Sequence, residues 1–150
     1  MVAKLFNLIR PDCVFFGQKT AQRAVVVKKM IEDLGYGIEV VVVPTAREAD
    51  GLAAGVRNKE FTTTMRQESL TIYAALNRAK EMVEAGVRSP DRLIAEATHL
   101  LGERRKIRVI YVAIVDTVTL EPVREVVPGR AMLAIAAWVD EVRLIDNTLL

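Results

Sequence analysis

Cysteine is almost absent from this sequence, and long apolar segments are missing altogether. Cys13 is the only cysteine, so no disulfide can form within the chain, which favours a reducing compartment and predicts a cytoplasmic protein. No apolar run reaches the ~20 residues that a membrane-spanning helix needs, and no signal-peptide pattern opens the chain. The net charge of only +2 provides no basic field of the kind that binds nucleic acid. We therefore expect neither a membrane nor a nucleic acid as a partner.

Patterns for metal binding and catalysis are missing as well. His99 is the only histidine, and no Cys, Asp or Glu stands at a recognised metal-ligand spacing from it, so no metal site is expected. Four acidic residues of the C-terminal third fall at predicted strand ends and turns: Asp116, Asp140, Glu141 and Asp146. Acid–base catalysis by any of them would require a surrounding cleft. The sequence therefore predicts no catalytic residue.

The first third of the chain has the pattern of a βαβ unit. Residues 2–9 have helical apolar spacing, and apolar runs at 13–16 and 38–43 predict two strands. A helix from about residue 20 to about residue 34 is predicted between the strands, and strand, helix and strand within about thirty residues form one βαβ unit. The second run is rich in valine, which is typical of a parallel strand that is buried on both faces.

A second group of elements follows a long polar loop at residues 45–61. These predicted elements are two helices and then three strands, at about 65–84, 90–102, 107–115, 130–139 and 142–145. A loop of this length without evident secondary structure usually has a function or joins domains. The predicted fold class is α/β, with a remnant βαβ unit of a parallel sheet in 1–46, a linking loop in 47–61, and a small α+β lobe in 62–150.

The candidate binding segments follow the two predicted parallel strands, because open α/β sheets bind ligands at the carboxyl ends of their strands. One segment is 17–20, and the other is the loop around 50–58. Lys19 stands at a helix start, where its charge adds to the positive end of the helix dipole and suits a phosphate or carboxylate. An ordinary strand-to-helix turn is the alternative interpretation.

Several segments carry a family resemblance. They are 7–12 (NLIRPD), 15–19 (FFGQK), 43–45 with 47–53 and 57–58 (VPT, READGLA and RN), 136–139 (AAWV) and 143–147 (RLIDN). In order and at family spacing, they resemble the C-terminal half of the pantothenate synthetase (pantoate–β-alanine ligase) family. The resemblance implies a Rossmann-like fold and a cytoplasmic homodimer. It also implies that pantoate is joined to β-alanine through a pantoyl-adenylate, with ATP and magnesium.

The first ligand-contacting motif of that family is altered here. Gly17, Lys19 and Gln22 match it, whereas Thr20 stands in place of an aspartate and Arg23 in place of a glutamine that contacts pantoate. The resemblance therefore assigns ATP or pantoate binding to Lys19 and Gln22 and leaves the rest of the motif in doubt.

The second motif has lost two serines, because Ala54-Gly55-Val56 precedes Arg57 and Asn58 where the family has Met-Ser-Ser. In the family, the serines and the arginine contact ATP phosphates. Each lost hydrogen bond to a transition state typically costs a few kcal/mol. We therefore predict that the chain is not an enzyme, that it uses no cofactor, and that the four matching residues, Lys19, Gln22, Arg57 and Asn58, are vestigial.

The leading functional hypothesis is a non-catalytic homo-oligomerising module, engineered for self-assembly, with a homodimer contact and a designed or complementary protein partner. Phe61, Met65 and Leu70 lie partly off the apolar stripe of the long helix and mark a candidate association surface; core packing of the first two is the alternative. The first helix starts without a capping residue, which favours a chain cut from a longer one. The other hypotheses are a fragment of a split pantothenate synthetase and a sensor that binds an anion through Lys19 and Arg57.

Overall fold

The computed structural model describes residues 1–150, which fall into two units, Met1–Thr45 and Ala46–Leu150. The first unit contains α1 (Val2–Ile9), β1 (Cys13–Gly17), α2 (Ala21–Asp33) and β2 (Glu39–Val43), with a short 3-10 turn, Gln18–Thr20, before α2. Strands β1 and β2 pair in parallel, with Cys13 opposite Glu39 and Gly17 opposite Val43. This pairing confirms the predicted βαβ unit.

The core of the first unit lies on one face of its two-stranded sheet. Phe6 from α1 and Val27 and Ile31 from α2 form the buried centre, and Val14, Phe16 and Val40 of the strands pack against them. The opposite face is uncovered: Phe15 is 71% exposed, and Val43 at the end of β2 is 44% exposed. The prediction that β2 is buried on both faces is therefore wrong, because both helices pack against the same face of the sheet.

The second unit is a helical pair packed on an antiparallel sheet. Its elements are α3 (Thr63–Glu84), α4 (Pro90–Gly102), β3 (Ile107–Asp116), β4 (Ala131–Val139) and β5 (Val142–Leu149), and the strand order is β3-β4-β5. Both helices begin at capping residues, since the Thr62 hydroxyl accepts from the Met65 amide and the Ser89 hydroxyl accepts from the Arg92 amide. No helix in the structure is both long and apolar enough to cross a membrane.

Alternate residues of the central strand β4 form the floor of the second unit's core. Leu133, Ile135 and Val139 are fully buried and belong to the same cluster as Leu76 of α3 and Leu101 of α4. This α+β arrangement confirms the predicted fold class. The predicted three-part division of the chain stays a prediction, although residues 47–61 make their side-chain hydrogen bonds within the second unit.

Candidate functional site

Residues 46–61, here called the 46–61 loop, have backbone structure of their own. Arg47 and Ala53 form an isolated antiparallel bridge, and the Glu48 amide donates to the Leu52 carbonyl at 2.9 Å. The chain reverses at Gly51, whose φ of 94° is in the left-handed region. A 3-10 turn, Val56–Glu60, completes the loop. The expectation of a loop without secondary structure missed these features, because a single bridge and a 3-10 turn have no hydrophobic period.

Two acidic side chains of the loop share one guanidinium. Arg66, in the first turns of α3, donates from Nε to Asp50 Oδ2 at 2.7 Å and from Nη2 to Glu48 Oε2 at 2.6 Å. Glu48 Oε1 accepts a further hydrogen bond from Asn58 Nδ2 at 2.6 Å. These four residues, Glu48, Asp50, Asn58 and Arg66, are here called the acid clasp. They join both ends of the loop to the start of α3.

The acid clasp keeps its carboxylates charged. Hydrogen bonds, first from Asn58 and then from Arg66, lower the pKa of Glu48 below its ordinary value. The hydrogen bond from Arg66 is also the main cause of a lowered pKa for Asp50, and both carboxylates raise the pKa of Arg66. The ionised carboxylates are therefore bound more strongly than their protonated forms, and the clasp is an interaction between charges.

A second arginine ties the loop to the sheet. Arg47 donates from Nη1 and Nη2 to the two carboxylate oxygens of Asp146 in β5, at 2.7 and 3.1 Å. Its guanidinium also lies over the ring of Tyr73 from α3, 4.6 Å from the ring centre. Nη1 donates to the Gly51 carbonyl at 3.0 Å as well. Asp146 is only 6% exposed and Arg47 23%, so this contact is well shielded from water.

The predicted site residues of the loop have different surroundings. Asn58 is buried, at 8% exposed, and its side-chain amide donates to Glu48 and to the Ala53 carbonyl. Its neighbour Arg57 is exposed in the 3-10 turn, and the three residues at 54–56, which stand where the family resemblance has Met-Ser-Ser, are exposed as well. Within the chain, Asn58 thus holds the turn while Arg57 faces solvent. Ligand contact by either residue stays a prediction.

The other two predicted binding residues follow β1 in the first unit. Lys19 is partly buried in the 3-10 turn Gln18–Thr20, and Gln22 is exposed in the first turn of α2. The Thr20 hydroxyl, at the position of the family's aspartate, donates to the Gly17 carbonyl at 3.2 Å. Both residues thus lie at the carboxyl end of a parallel strand, the place where α/β sheets bind ligands.

The candidate association residues Phe61, Met65 and Leu70 are all half-buried, and their role in association stays a prediction. No group of three or more His, Cys, Asp or Glu side chains is arranged to hold a metal ion. Sequence reasoning missed Arg66 altogether. Nothing in the sequence pairs it with Glu48, because the contact depends on how the loop folds back onto α3.

A parallel βαβ unit, followed along the chain by a structured loop and by helices packed on an antiparallel sheet, defines an α/β protein. The chain belongs to the pantoate–β-alanine ligase family, whose family model matches residues 1–149. This match confirms the family resemblance of the sequence segments.

Known members of this family are similar to the chain over its whole length. The pantothenate synthetase of Moorella thermoacetica is 42% identical over 150 residues, which are 100% of this chain and 53% of that protein. That of Pseudothermotoga lettingae is 41% identical over the same shares. A crystal structure of pantothenate synthetase from Thermus thermophilus superposes with a TM-score of 0.91 at 37% identity, covering 99% of this chain and 53% of that one. The chain thus spans about half the length of the curated relatives it matches.

The family assignment overturns the prediction that the chain is not an enzyme, because the relatives that match it throughout are named as synthetases and ligases. The loss of two hydroxyls does not by itself abolish catalysis. Two missing transition-state donors would lower a rate by about 10⁴–10⁶ if their effects were independent, whereas enzymes accelerate reactions by about 10⁶–10¹⁷. Substitution at 54–56 therefore does not establish inactivity.

Proposed function

We propose that the chain forms the C-terminal portion of an ATP-dependent pantoate–β-alanine ligase. The observation that carries this proposal is the likeness to the Thermus thermophilus enzyme, which covers 99% of this chain at a TM-score of 0.91. Because only 53% of that enzyme is matched, the rest of the catalytic machinery would come from an N-terminal portion.

The exposed arginine supports a role for the 46–61 loop in binding ATP phosphates. In the proposal, Arg57 contacts an ATP phosphate, and Lys19 and Gln22 contact ATP or pantoate, as the family resemblance implies. ATP would supply the adenylyl group that activates the pantoate carboxylate, with pyrophosphate as the leaving group, and AMP would leave when the β-alanine amine attacks. Magnesium would arrive with the nucleotide and be held by its phosphates together with water, as is usual for this ion.

The uncovered sheet face of the first unit supports the need for an N-terminal portion. Parallel strands normally occur in sheets that are covered on both faces, yet Phe15 is 71% exposed and its sheet consists of two strands alone. Leu8 and Ile9 of α1 are 71% and 69% exposed. Added strands and helices would bury this apolar surface, and the burial would stabilise the protein by about 25 cal/mol per Å².

The test is a chimaera in which the N-terminal portion of the Thermus thermophilus enzyme precedes this chain. Pantothenate formation is measured with pantoate, β-alanine, ATP and magnesium, with each half alone as the background. We expect product only from the chimaera, and the Arg57→Ala variant should lower kcat/KM by about 100-fold or more. A chimaera that has native circular dichroism and a defined mass but forms no product above background would refute the proposal.

The homodimer implied by the family resemblance is part of the same proposal. Light scattering on a sizing column measures the mass of the chimaera, and we expect twice the mass of one polypeptide. A monomeric chimaera would remove the homodimer from the proposal and leave the ligase activity to be judged by its own assay. The hypothesis of an engineered self-assembly module would require a larger closed particle from the 150-residue chain, either alone or mixed with a partner protein.

A further inference from the structure

The turn that carries Arg57, Val56–Glu60, is a five-residue segment with backbone hydrogen bonds of the 3-10 type. At its ends, the Asn58 amide donates to the Gly55 carbonyl at 3.1 Å, and the Phe61 amide donates to the Asn58 carbonyl at 3.3 Å. No side chain caps its N-terminus. Hydrogen-bond geometry in 3-10 turns is poorer than in α-helices. The conformation of the turn therefore depends on contacts made by its side chains.

Asn58 provides the side-chain contact that fixes the turn. Its buried amide donates to Glu48 Oε1 at 2.6 Å and to the Ala53 carbonyl at 3.1 Å. Glu48 is held in turn by Arg66, through its other carboxylate oxygen at 2.6 Å. A continuous path of two charge-assisted hydrogen bonds thus runs from Arg66 through Glu48 to the residue next to Arg57.

Arg66, at which this path begins, has its backbone held in the first turns of α3. The Arg66 backbone amide donates to the Thr62 carbonyl at 2.9 Å, one turn back along α3. Ser69, one turn further along, is fully buried, and its hydroxyl donates to the Met65 carbonyl at 2.7 Å. Since the guanidinium is a planar fork, Arg66 can bond Asp50 and Glu48 together, whereas a lysine at this position would be a point charge without that geometry.

We propose that Arg66 is a positioning residue, which acts through Glu48 and Asn58 to hold the 3-10 turn Val56–Glu60 so that Arg57 faces a polyphosphate ligand. The inference rests on the proposed function, because that function makes Arg57 the ligand contact. It extends the site to the start of α3, a segment that the family's two ligand motifs do not include.

The test uses the 150-residue chain and tripolyphosphate as the probe. Calorimetry gives the Kd of tripolyphosphate, and hydrogen exchange followed by NMR gives the protection of the Asn58 and Phe61 amides. Arg57→Ala should abolish measurable binding. Arg66→Lys keeps the charge but loses the fork, and we expect it to weaken binding about tenfold, as when the partner that orients a ligand-binding residue is removed, and to speed both amide exchange rates.

The matched control is Arg78→Lys. Arg78 also lies on α3 and also bonds two carboxylates, from Nε to Glu96 at 3.1 Å and from Nη1 to Glu81 at 3.4 Å, but both of these carboxylates lie outside the 46–61 loop. Its substitution should change neither the Kd nor the exchange of the loop amides. If Arg66→Lys fails to fold, Glu48→Gln serves instead. This substitution keeps the shape of the side chain and removes the negative charge of the carboxylate that accepts hydrogen bonds from Asn58 and Arg66.

The outcomes separate the inference from the proposed function. If Arg57→Ala abolishes binding while Arg66→Lys and Glu48→Gln bind like the unaltered chain, the positioning inference is overturned and the phosphate role of Arg57 stands. If Arg57→Ala binds like the unaltered chain, both are overturned. Weaker binding in Arg66→Lys with unchanged exchange of the Asn58 amide also overturns the inference, since the turn would then not have moved.

Discussion

Replacing Gly51 with alanine should destabilise the second unit for two separable reasons. The first is the backbone, because φ at Gly51 is 94°, and an L-residue in the left-handed region costs about 1 kcal/mol or more. The second is a clash, because an added Cβ would lie 2.2 Å from Cε1 and 2.3 Å from Cδ1 of Tyr73. Overpacking of this kind typically costs about 1–3 kcal/mol. The expected loss is therefore about 3 kcal/mol.

Gly86→Ala provides the control for the backbone contribution. Gly86 has φ of 95° and no atom within 4 Å of an added Cβ, so its substitution should cost only about 1 kcal/mol. Urea unfolding followed by fluorescence measures both variants in the same unit, because Trp138 is the only tryptophan in the chain. Equal losses for the two variants would refute the packing of Gly51 against Tyr73. In a Tyr73→Ala background, Gly51→Ala should cost no more than Gly86→Ala.

Two further predictions concern the core and the acid clasp. Leu76→Ala should lower the free energy of unfolding by about 3 kcal/mol, because Leu76 is fully buried. Val118→Ala, at a side chain that is 65% exposed, should change that free energy by less than about 0.5 kcal/mol. Urea unfolding measures both variants, and similar losses would contradict the assignment of the core. The pKa of Glu48 is lowered in the folded chain from its ordinary 4.5, so its stabilising contribution is present above that value and is lost as the pH falls through the folded pKa. Glu48→Gln should therefore flatten the decline of unfolding free energy below about pH 4.5, and an unaltered slope in acid titrations would count against the clasp.

The helices and most strands could be predicted because their signals are local. Thr62 and Ser89 are capping residues that stand before apolar stripes of helical period, and both helices start there. The prediction for strand β5 stopped at residue 145, because Asp146 and Asn147 interrupt the apolar pattern. In the structure the strand continues to Leu149. These two residues stay in the strand because β4 supplies ladder partners, with Ile135 opposite Asp146.

The candidate site could be predicted only as segments. The tendency of α/β sheets to bind ligands at the carboxyl ends of their strands indicated the turn after β1 and the 46–61 loop. The family resemblance then selected Lys19 and Arg57 within these segments. The contacts that fix the loop join residues far apart in sequence, such as Arg47 with Asp146 and Arg66 with Asp50. Such pairs arise from tertiary packing, so neither a hydrophobic period nor a turn signal indicates them.

The structure also explains how the chain can keep the family fold while departing from a family motif. The residues that replace the motif's Met-Ser-Ser at 54–56 are exposed, whereas the loop is held by Asn58, which is buried, and by Arg47 and Glu48, which are partly buried. Substitution at exposed positions usually changes stability by less than about 0.5 kcal/mol. The altered positions therefore change which groups a ligand would meet but leave in place the contacts that set the loop's conformation. For this reason the loss of two serines has little bearing on the conformation of the 46–61 loop, which the acid clasp holds.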